Sequence, residues 1–265
     1  FLDRSNKSIT LRPEGTAGVS RAYVENKMYA NQGLTKLFYF EQMFRCERPQ
    51  AGRYRQFTQF GIEALGTSSA YLDADVIYFG YCFLHRLGID KVKVKINTLG
   101  SSDGRKKYEE ALKEYFSLHI SDMCEDCKTR LQKNPLRILD CKVDAKNPIM
   151  DNAPKIMDYL NEEDQAYFKK VLTCLDALGV KYEVDQKLVR GLDYYNNTVF
   201  EFIYDDENSS INNLAILAGG RYNGLAKAFD GPDTQAIGFA SGVERLMLVL
   251  DELKLFNTSQ VKIDI

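Results

Sequence analysis

The sequence predicts an α+β fold: an antiparallel β-sheet flanked by helices, with a helical insertion between two groups of strands. Three observations carry that expectation. Strand-like patterns occur early, at 37–40, 56–65 and 92–96, and return late, at 182–184, 198–204, 214–218 and 236–240. From about 103 to 178 the chain is richer in charge and helical in pattern. Helices and strands do not alternate regularly, as a doubly wound parallel sheet would require.

The elements follow in order. Residues 8–12 read as a first strand, and Arg12-Pro13-Glu14-Gly15-Thr16 turns it into a helix reaching about Lys27. Leu37-Phe38-Tyr39-Phe40 reads as a strand, and residues 56–65 alternate polar and apolar side chains as its hairpin partner. Residues 73–87 place Ala74, Ile77, Tyr81 and Leu84 at helical spacing before Gly88 stops them. Residues 92–96 alternate as a half-buried strand. Within the charged middle, 106–118 and 162–178 are the clearest helices, and Pro135, Pro148 and Pro154 punctuate the stretch between them. After the late strands, 242–253 closes as an amphipathic helix. There is no internal repeat or low-complexity segment.

A chain of 265 residues can bury a sizeable core in one or two domains. The formal net charge of -2 is no signature of a nucleic-acid binder, so any RNA contact must use local basic patches. No apolar run is long enough to span a bilayer, no membrane partner is expected, and no signal peptide is visible. Six cysteines at irregular spacing suggest reduced thiols and a cytoplasmic location rather than a secreted disulfide scaffold.

Four clusters can carry chemistry. The first is Met43-Phe44-Arg45-Cys46-Glu47-Arg48-Pro49-Gln50-Ala51-Gly52-Arg53-Tyr54-Arg55-Gln56-Phe57, a hairpin loop with four arginines and a glutamate. Guanidinium forks suit phosphate oxygens; solvated charges on an exposed hairpin are the plain alternative. The second is Leu188-Val189-Arg190-Gly191-Leu192-Asp193-Tyr194-Tyr195, the third Ala218-Gly219-Gly220-Arg221-Tyr222-Asn223-Gly224-Leu225. The fourth is Ala236-Ile237-Gly238-Phe239-Ala240-Ser241-Gly242-Val243-Glu244-Arg245-Leu246, a strand, a glycine and a helix bearing Arg245.

In this order the clusters resemble the histidyl-tRNA synthetase family of class II aminoacyl-tRNA synthetases. The Arg45–Phe57 hairpin resembles motif 2, Arg190–Tyr195 a histidyl-specific signature, and the Arg245 helix motif 3. The resemblance implies activation of L-histidine with ATP and Mg²⁺ to histidyl-adenylate and pyrophosphate, then transfer to the 3′ end of tRNA(His). It assigns residues 1–102 and 181–265 to a catalytic core and 103–180 to a helical insertion. The family's motif 1 should precede Phe1, and an anticodon-binding domain should follow the last helix. The chain is therefore expected to be a catalytic-core piece of a protein that is a homodimer at full length.

By the same resemblance, Arg45 contacts the α-phosphate, Glu47 meets the adenine or a magnesium ion, and Phe57 stacks on adenine. Arg53 and Arg245 hold the β- and γ-phosphates. Arg190 lies near the α-phosphate and the histidine carboxylate, and with Arg45 is the catalytic candidate. Glu14, Thr16 and Gln59 handle the amino-acid head, Glu63 and Tyr195 bracket the imidazole, and Tyr194 and Tyr222 line the pocket. Without the resemblance, Glu14 and Glu63 read as surface carboxylates and the tyrosines as core edges.

Two features stay open. Cys124 and Cys127 form a C-x-x-C with Cys141 downstream and His119 upstream, a set that could hold zinc tetrahedrally. Reduced thiols are the alternative, since the similar region of bacterial relatives often carries the motif without a known metal, and no metal site is assigned. Arg105, Lys106, Lys107, Arg130 and Lys133 could meet acceptor-stem phosphates or be a solvated helix face. The rival from another class is a non-catalytic paralogue, a histidine or tRNA sensor. It would be expected to lose part of the set Arg45, Arg53, Arg190 and Arg245 or the Arg190–Tyr195 stretch, and all are present here.

Overall fold

The structure, a computed structural model, describes residues 1–31, 33–46 and 52–256. Its main elements are α1 (Thr16–Glu25), β1 (Thr35–Phe44), β2 (Gln56–Leu65), α2 (Ala70–Arg86), β3 (Val92–Thr98), α3 (Ser102–Ser117), α4 (Glu125–Lys133), α5 (Glu162–Ala177), β4 (Tyr182–Val184), β5 (Asn196–Tyr204), β6 (Ala215–Arg221), β7 (Ala236–Gly242) and α6 (Val243–Glu252).

The strands form one seven-stranded sheet in the order β1-β2-β7-β6-β5-β3-β4. The α+β class stands, but the sheet is mixed: β4 runs parallel to β3, while every other neighbouring pair is antiparallel. The exception follows from the connection. The chain leaves β3 through the helices and returns in the same direction, as a crossover between parallel strands must.

Local signals explain the boundaries that match. Gly88, at φ 80°, ends α2 in the left-handed region that side chains avoid. Asn161 caps α5 by accepting from the Asp164 N–H at 2.7 Å, and three acidic residues occupy the first turn. The expected strand at 8–12 is corrected. Among the described residues it makes an isolated Leu2–Ser8 bridge and one backbone bond, from the Phe44 N–H to the Arg12 carbonyl at 2.8 Å, and forms no ladder with the sheet. Residues 8–12 are all exposed, so burial gives them no reason to join the ladder. Helix α4 went unread because only Cys127 and Leu131 of its nine residues are buried, too weak a stripe to show as a period.

One face of the sheet carries the main core. Ile237 and Phe239 of β7, Phe200 and Phe202 of β5 and Leu217 of β6 join Ile77 and Leu84 of α2, Val171 and Leu175 of α5, and Leu246 of α6. A second core joins Leu112 and Phe116 of α3 and Leu131 of α4 to Leu188, Val189, Tyr195 and Val199. Inside the molecule Arg221 meets Asp73 at 2.7 Å, both about fully buried. Thr198 donates to Asp73 at 2.6 Å, and Arg221 donates to Tyr167 at 2.8 Å. Among the described residues no helix is long and apolar enough to cross a membrane.

Candidate active site

The opposite face of the sheet is built differently. Paired residues in neighbouring strands share a face. Phe57, Gln59, Gly61 and Glu63 of β2 therefore lie in one row, beside Gly242, Ala240 and Gly238 of β7 and then Ala218 and Gly220 of β6. Small residues on two central strands leave a floor of backbone, with larger side chains around it.

Glu63 stands at one end of this floor. Its carboxyl accepts from the Thr16 hydroxyl at 2.6 Å and from the Tyr222 hydroxyl at 2.6 Å. All three residues are buried. Gly238 makes this placement feasible, because a Cβ there would overlap the Glu63 carboxyl and the Ile62 carbonyl. Glu14 lies two residues before the start of α1. Its carboxylate accepts from the Thr16 and Ala17 N–H groups at 2.7 and 2.8 Å, at the positive end of α1. Tyr194 donates to Glu14 at 3.2 Å and its ring meets Tyr195 at 4.9 Å and Tyr222 at 5.9 Å. Gln59 is buried on the same face.

Burial pushes the Glu63 carboxyl up to about 8; hydrogen bonds from Thr16 and Tyr222 pull against this, and the charge of Glu14 adds to it. Burial likewise raises the Tyr194, Tyr195 and Tyr222 phenols, so these hydroxyls stay protonated donors. The Glu63 shift has a stability consequence. Below the unfolded value, 4.5, both states hold the proton. Between 4.5 and about 8 the unfolded chain releases it while the folded chain keeps it, so stability falls as pH rises. The slope is about 1.4 kcal/mol per pH unit and levels off above the folded value. Glu63→Gln is expected to flatten this slope in urea unfolding across that window; equal slopes in variant and parent would refute the assignment.

Arg190 borders the floor from the segment before β5. It meets Glu201 at 3.2 Å and lies 5.7 Å from the Tyr195 ring centroid. Its Nε is buried with no hydrogen-bond partner among the described residues. At the hairpin end, the Arg45 guanidinium lies 4.9 Å from the Phe57 ring centroid and donates through Nε to the Pro13 carbonyl at 2.7 Å. The backbone just before Glu14 thus touches the arginine end. Arg245, in the first turn of α6, donates to the carbonyls of Ala215 at 2.6 Å and Gly52 at 3.2 Å. Gly52 adopts φ 66°, at the return of the hairpin loop. Arg53 is half-buried beside it. Glu47 lies outside the described residues.

The structure therefore brings Glu14, Thr16, Gln59, Glu63, Tyr194, Tyr195 and Tyr222 into one cluster. It places Arg190 at its border, and Arg45 with Phe57 at the hairpin end. Sequence reasoning missed Tyr39. Its ring fills the space over Gly15 and Gly61, where a Cβ at either glycine would overlap it. The signal was available: in the β1–β2 register Tyr39 faces Gly61, an aromatic residue opposite a glycine. Arg105 and Arg130 are also reassigned. Arg105 pairs with Glu109 at 2.8 Å and donates to the Tyr195 carbonyl, and Arg130 donates to the Arg137 carbonyl at 3.0 Å. Both brace the protein interior, while Lys106, Lys107 and Lys133 are exposed.

Similarity to known proteins runs along most of the chain. The family described as histidyl-tRNA synthetase matches residues 1–246. A histidine--tRNA ligase of Listeria innocua is 50% identical over 256 residues, which cover 96% of this chain and 60% of that protein. One of Bacillus subtilis is 51% identical over 256 residues, again 96% of this chain and 60% of the relative. The chain thus spans about 60% of the length of these curated relatives. The crystal structure of apo S. aureus histidyl-tRNA synthetase superposes with a TM-score of 0.78 at 41% identity, covering 99% of this chain and 63% of the other. A Bacillus halodurans protein described as an ATP phosphoribosyltransferase regulatory subunit/histidyl-tRNA synthetase shares the fold, with a TM-score of 0.67 at 22% identity over 94% of this chain and 67% of that one.

Proposed function

We propose, from the premise that this chain belongs to the histidyl-tRNA synthetase family, that its open sheet face activates L-histidine with ATP and serves the charging of tRNA(His). The observation that carries the reading is the buried Glu63 carboxyl held by Thr16 and Tyr222 beside the Tyr194–Tyr195 pair. Imidazole has two ring nitrogens that each need a partner. Glu63 on one side and Tyr195 on the other supply them. Burial keeps the Glu63 carboxyl protonated near neutral pH, so it can donate to an imidazole nitrogen without burial of a bare carboxylate. Glu14, Thr16 and Gln59 take the ammonium group, and Tyr194 and Tyr222 close the pocket. An apolar isostere of histidine would leave the Glu63 proton without an acceptor and be rejected.

The histidine carboxylate oxygen attacks the α-phosphorus of ATP, and the bond to the bridging oxygen breaks to release pyrophosphate. Both reactants are anions, so fixed cations must align them and offset their charge. Arg190 and Arg45 act at the α-phosphate, Arg53 and Arg245 at the β- and γ-phosphates, and Phe57 stacks on the adenine. Bound with ATP, Mg²⁺ supplies further charge neutralisation on the pyrophosphate side. It needs hard oxygen donors and keeps several waters, so one or two protein carboxylates suffice. On the open face Glu41, near Arg12 at 3.6 Å, and Glu201, near Arg190 at 3.2 Å, are oxygen donors of the required kind.

In the second step the terminal ribose hydroxyl of tRNA(His) attacks the adenylate carbonyl and AMP leaves. Exposed Lys106, Lys107 and Lys133 on α3 and α4 suit phosphate contact. The proposed setting is the cytoplasm. For homodimerisation, support comes from an apolar strip on β1 at the edge of the described sheet, with Phe38 80% and Phe40 63% exposed. The test is histidine-dependent exchange between ATP and labelled pyrophosphate, with other amino acids as controls. Exchange with histidine alone is expected. Histidine binding in a calorimeter without exchange would leave two readings, a sensor or a core disabled outside its full-length dimer, which adding the relatives' N-terminal segment would separate.

A further inference from the structure

The insertion carries a side-chain cluster that amino-acid activation does not use. Cys124 precedes α4, Cys127 lies in its first turn, and Cys141 and Asp144 follow the turn that begins at Pro135. Three Sγ atoms and one carboxylate oxygen all lie within 4.8 Å of one another. Cys124 Sγ is 3.6 Å from Cys141 Sγ, and Cys141 Sγ is 3.6 Å from Asp144 Oδ2. The Cys124 N–H donates to the same Asp144 oxygen at 3.1 Å and orients it. Cys127, Cys141 and Asp144 are buried. His119, the fourth ligand weighed from sequence, is elsewhere, with its ring 5.0 Å from that of Tyr115. Among the described residues, this is the one group of three or more such side chains placed to share an ion.

Zinc–thiolate bonds of about 2.3 Å and zinc–carboxylate bonds of about 2.0–2.2 Å in a tetrahedron put neighbouring ligand atoms roughly 3.5–3.8 Å apart. The two distances of 3.6 Å meet that requirement before any ion is added. We propose that Cys124, Cys127, Cys141 and Asp144 bind one Zn²⁺ as a structural site. Soft thiolates select zinc over magnesium or calcium. Four protein ligands leave no open position for a reacting water. On binding, the three thiols release their protons and each sulfur donates a lone pair to the ion. The ion would tie the start of α4 to the segment after Ile138, closing the span that carries Asn134 and Arg137. Asn134 donates to Asp193 at 2.7 Å, and an Arg137 nitrogen lies 2.9 Å from where a Gly191 Cβ would be. The site would thereby stiffen a support of the Arg190–Tyr195 segment.

The test is metal analysis of the protein purified under reducing conditions without added metal, followed by exchange of the ion for Co²⁺. About one zinc per chain is expected, and Co²⁺ should give a thiolate charge-transfer band with tetrahedral d–d bands. Cys127→Ser and Asp144→Asn should lose or weaken the ion, whereas His119→Ala should keep it. Should Cys127→Ser fail to fold, Co²⁺ titration of the unaltered protein still decides the matter. A freshly reduced protein that takes up neither metal, retention unchanged in Cys127→Ser, or a native Cys124–Cys141 disulfide would each overturn the site.

Discussion

Arg190→Ala is expected to lower histidine-dependent pyrophosphate exchange by about 10²–10³-fold, the usual cost of removing one fixed donor aimed at developing charge. The fold should survive. Arg190 is half-buried in a partly exposed pair with Glu201, so deleting it breaks no buried ion pair. Its guanidinium lies between Glu201, at 3.2 Å, and the Tyr195 ring, at the border of the Glu63 cluster. Arg190→Lys keeps the charge but loses the planar fork, so its rate should fall between the two. The measurement is kcat/KM for exchange together with a melting curve. Loss of the folded transition would convert Arg190 to a structural residue, and a parent-like rate would remove it from the chemistry.

Asp73→Ala is expected to cost about 3–5 kcal/mol of stability, because it leaves the Arg221 guanidinium buried without a counter-charge. In a domain of this size that corresponds to a melting temperature lower by roughly 10 °C. Asp73 is 0% and Arg221 1% exposed, so water offers no replacement partner. The Tyr167 hydroxyl and the Thr67 and Ser69 carbonyls would still accept from Arg221, but none carries charge. Adding Arg221→Met should recover part of the loss, since a well-packed apolar side chain can replace a buried pair. Thermal unfolding of both variants provides the check. A near-additive double variant would show that the two residues do not act as a pair.

Legibility in the sequence divides by the range of the contacts. The alternation of 56–65 sets the row Phe57, Gln59, Gly61 and Glu63 directly, because a strand has a period of two. Pattern alone does not reveal that Thr16, Glu63 and Tyr222 meet, since each comes from a different element and the contacts span most of the chain. Resemblance supplied that grouping, and the hydrogen bonds give it a physical basis. Asp73 stands at the start of the helix predicted over 73–87, and Arg221 lies in the third cluster, 218–225. Their pairing depends on how α2 lies against β6, which no local pattern encodes. Arg105 misled for the opposite reason. Its neighbours Lys106 and Lys107 are solvated, and a rotation of about 100° per helical residue suffices to send the third cation inward to the Tyr195 carbonyl.

The floor of Gly238, Ala240, Gly242, Ala218 and Gly220 also limits how this surface can evolve. What it presents to a ligand is main chain and two methyl groups, and enlargement can only fill the space above it. Gly238 has no room even for a methyl group beside Glu63. In a saturation scan Gly238 and Gly220 should therefore yield losses and no altered preferences. A lineage selected for a different amino acid would have to change its walls, at Glu63, Tyr194 and Tyr222, and do so in concert, because Tyr222 and Glu63 share a hydrogen bond.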